Sequence, residues 1–351
     1  MISDIHLQQF RSYLDVSFEF GEGVNIIVGP NASGKTNLIE ALLYVARGKS
    51  YRVSDAELVA FGHEWARLDV HTRGGGERTI KLRLMPQPQK SYHIDGKDYV
   101  RLPQAQHLPV VIFEPNHLTI LQGPPEGRRA YLDDLLEEVE PGYAALRKNY
   151  RRVVAQRNAL LKRPGAARQD FFPWNLRLSE LGAVVHRTRA ALVDRLNDQI
   201  NGLYKKLSST EVDVRLKYTS RLPTNNYESH LLRALEDQLQ DDLARGFTSH
   251  GPHREDMAVL FDGKPAPLIA SRGETRTAVL ALKILELQTI QKATGDEPIL
   301  LLDDVFSELD GARRRALTAH LQRYQTFLTT TDADIAVKHF TDSVIIPVTR
   351  G

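Results

Sequence analysis

The stretch that most constrains this chain is Gly29-Pro30-Asn31-Ala32-Ser33-Gly34-Lys35-Thr36. An apolar run, Val24-Asn25-Ile26-Ile27-Val28, precedes it, and a helical pattern, Asn37-Leu38-Ile39-Glu40-Ala41-Leu42-Leu43, follows. In the order strand, glycine-rich loop, helix, such a loop turns its backbone N–H groups around phosphate oxygens, and the new helix adds its positive dipole end. Lys35 then reaches the β- and γ-phosphates, and the Thr36 hydroxyl takes one Mg²⁺ coordination position. An ordinary glycine turn would need neither flanking element. The sequence predicts a nucleoside triphosphate site.

A second stretch supplies the missing half. Ile299-Leu300-Leu301-Leu302-Asp303-Asp304 reads as a buried parallel strand that delivers two carboxylates to the sheet edge beside the loop. Asp303 is the expected Mg²⁺ partner. Asp304 is placed to orient or deprotonate the water that attacks the γ-phosphate. Two solvated acids at a strand end are the plainer alternative, and the independent phosphate loop argues against it. Ser271-Arg272-Gly273-Glu274 opens a helical run through Ala278, Leu282, Leu285 and Leu287. It is a capping box by its pattern, and the same geometry makes an anion site at a helix N-terminus. Arg11, in Phe10-Arg11-Ser12-Tyr13, is either beside the nucleotide or a solvated turn arginine.

Composition narrows the class. At 351 residues, 42% hydrophobic and 26% charged, the chain suits a globular protein of two lobes. The absence of cysteine excludes disulfides, thiolate metal sites and thiol catalysis. The first residues lack the pattern of a signal peptide, and no apolar run approaches membrane-spanning length. A cytoplasmic protein with no membrane partner is expected.

The net charge of +2 hides an asymmetry. Between Ala145 and Lys206 fourteen basic residues face four acids, a local +10 that leaves −8 for the rest. That excess points to a polyanion, DNA or RNA, with Arg147, Lys148, Arg151 and Arg152 as candidate contacts. Solvated faces of amphipathic helices would explain balanced charge and not this imbalance.

The periodicity divides the chain. The opening alternates as a strand, with Ile2, Asp4 and His6 against Ser3, Ile5 and Leu7, and Val16, Phe18 and Phe20 follow as a second strand. The first helix ends near Gly48, and Tyr51 to Glu57 reads as a helix entry. Trp65–Val70, Thr79–Leu84 and Ser91–Ile94 form antiparallel strands, and Val110–Phe113 a buried one. From Glu126 the period is helical. Tyr143, Leu146, Tyr150, Val153 and Leu160 mark one helix, and a series from Leu178 to Leu207 marks another, about six turns each. The second helical block gives way to a strand at Val212–Leu216, a helix around Tyr227 to Leu243 and a hairpin from Met257 to Pro267. His253 and Asp256 lack a second ligand cluster, so a plain hairpin is expected there rather than a metal site.

The order of these motifs, ending in Leu300 to Asp310 with its Ser307-Glu308-Leu309-Asp310 turn, resembles ATP-binding-cassette ATPases of the chromosome-maintenance and DNA-repair branch. Phe10 to Tyr13, Gly29 to Asn37, Tyr51 to Asp55, Pro125 to Asp133 with Arg128-Arg129, and Gly251 to Arg254 make it similar to the RecF-like family almost end to end. The resemblance implies an α/β cassette ATPase head, a phosphate-loop mixed sheet with antiparallel strands, carrying an inserted, mainly helical arm. Its expected parts are residues 1–124, the arm 125–207, and 208–351.

The resemblance also implies ATP and Mg²⁺ as cofactors and a homodimer that sandwiches two ATP molecules. Ser271 and Gly273, flanked by Arg272 and Glu274, would serve the partner's nucleotide in trans, and Asp310 would lie near the seam. DNA, at junctions of single and double strands, and proteins of the RecO and RecR kind are the implied partners. Three positions depart from the wider superfamily. Asp304 stands where Glu is usual and implies slow turnover, Thr329-Thr330-Thr331 replaces the usual His, and Glu274 replaces Gln. The Mg²⁺-contacting glutamine has no assigned counterpart. The ATPase subunit of a transporter and a small-metabolite kinase are the competing readings; the long basic insertion argues against the first and the Ser-Arg-Gly-Glu segment against the second.

Overall fold

The structure is a computed structural model that describes residues 1–321, 323–332, 338, 340 and 343–349, without the side chains of Ser307, Glu308 and Ala312. Contacts divide the chain into two compact units, residues 1–117 with 286–351, and residues 118–285.

The first unit holds two sheets. One is antiparallel, in the order Tyr13–Glu19, Ile2–Phe10, Trp65–Thr72, Glu77–Arg83, Gln89–Ile94, Lys97–Tyr99. The other is parallel, in the order Ser343–Pro347, Val24–Val28, Thr326–Thr330, Ile299–Leu302, Val110–Phe113. Every residue of the Ile299–Leu302 and Val110–Phe113 strands is buried, as a parallel sheet covered on both faces requires. The helix Lys35–Arg47 shares one apolar cluster with both sheets, including Leu7, Leu68 and Ile80 of one and Ile27, Leu301 and Phe327 of the other. Its run from Leu38 to Ala46 is buried on all sides, Glu40 included. Gly48 ends it in the left-handed region, with its N–H on the Tyr44 carbonyl.

The expected alternation of the first strand holds only in part. Ile2, Ile5 and Leu7 are all buried, because a register shift between Ile2 and Asp4 moves Ile2 to the core side. The expected helix entry after Tyr51 is a short 3₁₀ turn, Asp55–Leu58, whose capping box is closed by Ser54 and Glu57.

The second unit is mainly helical, with an antiparallel sheet in the order Lys264–Pro265, Asp256–Phe261, Val214–Thr219. Its hairpin of helices is unequal. Tyr143–Leu161 has 19 residues and Arg168–Ser208 has 41, so the second spans about 60 Å and corrects the expectation of six turns each. The apolar series from Leu178 to Leu207 is buried as read, and Phe171 and Asn175 bury the additional turns at its start. The Val214–Thr219 strand packs on this helix, which is why residues 125–207 and the sheet that follows fall in one unit. Among the described residues no helix is long and apolar enough to cross a membrane.

Candidate functional site

Gly29 to Thr36 leads from the end of the Val24–Val28 strand to the helix that starts at Lys35. Two glycines are dictated by geometry. A Cβ on Gly29 would sit 2.3 Å from the Val348 carbonyl oxygen, and Gly34 has φ +111 with Ser12 Oγ and Tyr13 Oη close behind it. Lys35 is buried and donates to the Gly29 and Pro30 carbonyls at 2.9 and 3.1 Å, so its ammonium is folded over the loop. Ser33 Oγ is buried without a hydrogen-bond partner among the described residues. That orphaned hydroxyl and the glycine cradle fit a phosphate group.

The two halves of the expected Mg²⁺ site meet. Thr36 Oγ1 donates to Asp303 Oδ1 at 3.1 Å, 267 positions away in sequence. Asp303 N–H bonds to the Phe113 carbonyl, which sets the carboxylate at the sheet edge. Burial raises the Asp303 pKa; the Thr329 hydrogen bond opposes this, the Asp304 charge adds to it, and Thr36 and Arg52 again oppose it. A divalent cation would resolve the crowding of these two acids, so the donor set fits Mg²⁺. Asp304 itself has φ 54, in the left-handed region, with its N–H held by Thr329 Oγ1 at 2.8 Å.

Arg11 is paired within the protein rather than left as a solvated turn arginine. Its Nε lies 2.9 Å from the wholly buried Glu40 carboxylate of the loop's own helix, and Nη1 donates to the Glu57 carbonyl. It ties the Phe10-Arg11-Ser12-Tyr13 turn to that helix. Ser12 Oγ accepts from the Asn37 side chain at 2.9 Å, and the Tyr13 hydroxyl donates to the Gly34 carbonyl at 2.9 Å. The apposition of this turn to the back of the loop was not legible from spacing, because Gly34 lies 21 positions from Tyr13; the structure makes Tyr13, read as a turn residue, the first residue of a strand. Asn31 and Ala32 are loop residues, Ala32 with φ +62.

Ser271 to Glu274 forms a closed capping box: Ser271 N–H donates to Glu274 Oε2 at 2.7 Å, and Glu274 N–H to Ser271 Oγ at 3.2 Å. Ser271 and Arg272 are exposed, Gly273 half-buried. Leu268, 77% exposed, and Ile269 stand bare just before it, a feature that sequence reasoning missed. Asp310 caps the helix Gly311–Leu321 by accepting the Arg313 N–H at 2.9 Å and pairing with the Arg313 guanidinium. The Ser307 side chain lies outside the described residues.

The basic excess is partly consumed within its unit. Arg147 is only 11% exposed and contacts Asp133, Asp134 and Glu137 at 3.0, 2.9 and 2.7 Å. Arg157 is fully buried against Asp242, and Arg189 grips Asp133. Burial works against the Asp133 charge, yet Arg189, Arg147 and the Tyr143 hydroxyl hold its pKa below the usual carboxylate range. These acids lie outside the 145–206 window, so a count within that window could not register them. Arg147 therefore presents little charge to solvent, whereas Lys148, Arg151 and Arg152 are exposed. His253 binds the Tyr150 hydroxyl and the Thr248 carbonyl, and Asp256 binds Arg128. Among the described residues no cluster of acids and histidines could hold a metal ion by itself.

The RecF/RecN/SMC N terminal domain family matches residues 1–345. The chain is 38% identical to the DNA replication and repair protein RecF of Symbiobacterium thermophilum, covering 95% of this chain and 92% of the relative. It is 36% identical to the same-named protein of a Synechococcus strain, over 93% and 90% of the two chains. A solved structure of the recombination mediator protein RecF with ATP superposes with a TM-score of 0.85 at 30% identity, over 94% of this chain and 92% of that one. An SMC head bound to the C-winged helix domain of ScpA, 18% identical, shares the fold at a TM-score of 0.56, over 99% and 94% of the chains. With the phosphate loop, the Asp303 edge and the mixed sheets in place, the chain belongs to the RecF family and has the cassette ATPase head fold of that family and of SMC proteins.

Proposed function

We propose that this protein is an ATP-dependent, dimerising, DNA-binding ATPase of recombinational DNA repair, acting in the cytoplasm with RecO- and RecR-type partners. The observation that carries the reading is the meeting of Thr36 and Asp303 beside the Gly29–Thr36 cradle. The names of relatives that cover nearly the whole chain support repair over transport.

In this reading the loop amides and Lys35 hold the triphosphate, and Thr36 and Asp303 hold Mg²⁺. The ion, when bound, polarises the γ-phosphate as a Lewis acid. Asp304 orients the attacking water, and its short side chain makes turnover slow. One head leaves the γ-phosphate open on one side. Ser271, Gly273 and the N–H groups at the helix start of a second copy close it, which couples nucleotide state to assembly. The bare Leu268 and Ile269 beside Ser271 support a covered surface there. Asp310 lies at the seam. DNA is gripped by phosphate contacts from Lys148, Arg151 and Arg152.

The test is binding of a fluorescent duplex with a single-stranded overhang at low salt, with ATP, with ADP and with no nucleotide. Tight binding with ATP alone supports the proposal. Affinity that ignores the nucleotide refutes the coupling.

A further inference from the structure

Within the second unit, the long helix Arg168–Ser208, the strand Val214–Thr219 and the start of the helix Tyr227–Asp237 wall a groove of about 880 Å³. That volume is in the range of small-molecule sites. His186 lines it and is only 4% exposed. Its ring stacks on Tyr227 at 3.9 Å between centroids, and its Nδ1 lies 2.9 Å from Glu255 Oε2. The Tyr218 and Tyr227 hydroxyls donate to the same carboxylate at 2.7 and 2.6 Å. Burial works against the Glu255 charge, yet His186, Tyr227 and Ser220 hold its pKa below the usual carboxylate range. An ionised Glu255 accepts the hydrogen on Nδ1. Nε2 is left as the open nitrogen of a buried, oriented ring, with no hydrogen-bond partner among the described residues.

Beside it the helix Tyr227–Asp237 begins without a side-chain cap, after Asn226 at φ 50. The His230 N–H takes the Asn226 carbonyl, and the N–H groups of Tyr227, Glu228 and Ser229 have no acceptor among the described residues. Three open amides at the positive end of a helix attract an anion. Lys217 and Arg187, both exposed, also line the groove. Asp194 and Glu228 balance their charge there, so directed donors rather than bulk charge select the ligand. We propose that this groove seats the terminal phosphate of a small phosphomonoester, held by the amides of residues 227–229 and by His186 Nε2, with Lys217 and Arg187 at its side. A monoester turns three oxygens to its donors and carries a proton that leaves at about pH 6. Nε2 can accept that proton from the ligand or, protonated, return it as a hydrogen bond, with no change in the proton count of the pair. A phosphodiester offers two oxygens and no such proton. The site is independent of the phosphate loop, which belongs to the other unit.

Equilibrium dialysis of radiolabelled inorganic phosphate tests this on full-length Lys35→Ala protein, in which the phosphate loop no longer competes. One phosphate should bind per chain, displaced by methyl phosphate and not by dimethyl phosphate. Adding Lys217→Ala or His186→Gln should weaken binding about tenfold, the loss of one hydrogen bond to a charged group. Lys217 is exposed, so Lys217→Ala should fold as its parent does and decides the matter even where His186→Gln does not fold. Absence of saturable phosphate binding, or full affinity in Lys217→Ala, overturns the site. Displacement by dimethyl phosphate as effective as by methyl phosphate overturns the choice of a monoester and makes the groove a seat for a nucleic-acid backbone.

Discussion

The Thr329 hydroxyl lies 3.0 Å from Asp303 Oδ1, on the strand next to the one that delivers the acid. The same oxygen accepts the Asp304 N–H at 2.8 Å. One side chain thus sets the position of both carboxylates. Of the three threonines at 329–331, Thr329 is the one bonded to both acids.

Removing that hydroxyl should disturb the chemistry more than binding. Thr329→Val is expected to lower MgATP hydrolysis by about ten- to a hundredfold, as loss of a ligand-orienting partner does. Nucleotide binding without Mg²⁺ should be unchanged, and Thr329→Ser should recover most of the rate. Steady-state hydrolysis paired with binding in EDTA checks all three.

The Tyr13–Gly34 bond is a local prop. Tyr13→Phe keeps the ring in its apolar site and loses one hydrogen bond to the loop carbonyl, about 1 kcal/mol. A modest fall in melting temperature with weaker ATP binding is expected, read by calorimetry and by titration.

On the arm, charge and stability should separate. Reversal of Lys148, Arg151 and Arg152 to Glu should weaken DNA binding and flatten its salt dependence, with ATP affinity intact. Arg147→Ala should instead destabilise the protein by about 3 kcal/mol, because it strips a nearly buried cation from three carboxylates. Gel shifts and denaturant melts distinguish the two effects.

Burial pushes the His253 pKa down to about 4, with the Thr248 carbonyl opposing. Its Nε2 faces a carbonyl and its Nδ1 the Tyr150 hydroxyl, so the folded ring is neutral. Between its unfolded value near 6.5 and about 4, the unfolded chain binds a proton that the folded chain refuses. The contribution is therefore fully present above the unfolded value and falls as pH drops through this window. His253→Gln should lessen the dependence of stability on pH between about 4 and 6.5. Denaturant melts across that range provide the measurement.

How much of this was legible in the sequence depends on distance along the chain. The loop, the Asp-ended strand and the Ser-Arg-Gly-Glu helix start are local signals, since backbone conformation and side-chain type within a few residues decide them. What escaped was non-local. Arg147 reads as a surface cation because its acids lie ten or more positions upstream. Tyr13 reads as a plain turn residue because its partner, Gly34, lies on another element. The bulge after Ile2 depends on pairing with the Trp65–Thr72 strand and leaves no mark in a period-two pattern. Phe61 follows Ala60 in a turn, and only the fixed fold reveals that its ring is wholly in water.

In the proposed function, ATP bound at Lys35 joins two copies through Ser271. Light scattering on a sizing column, at micromolar protein with MgATP, measures it most directly. Wild-type dimers with ATP and monomers without are expected, and monomers throughout for Lys35→Met and Ser271→Arg. A wild type that remains monomeric with saturating ATP, or a Ser271→Arg variant that dimerises as well as the wild type, would contradict it.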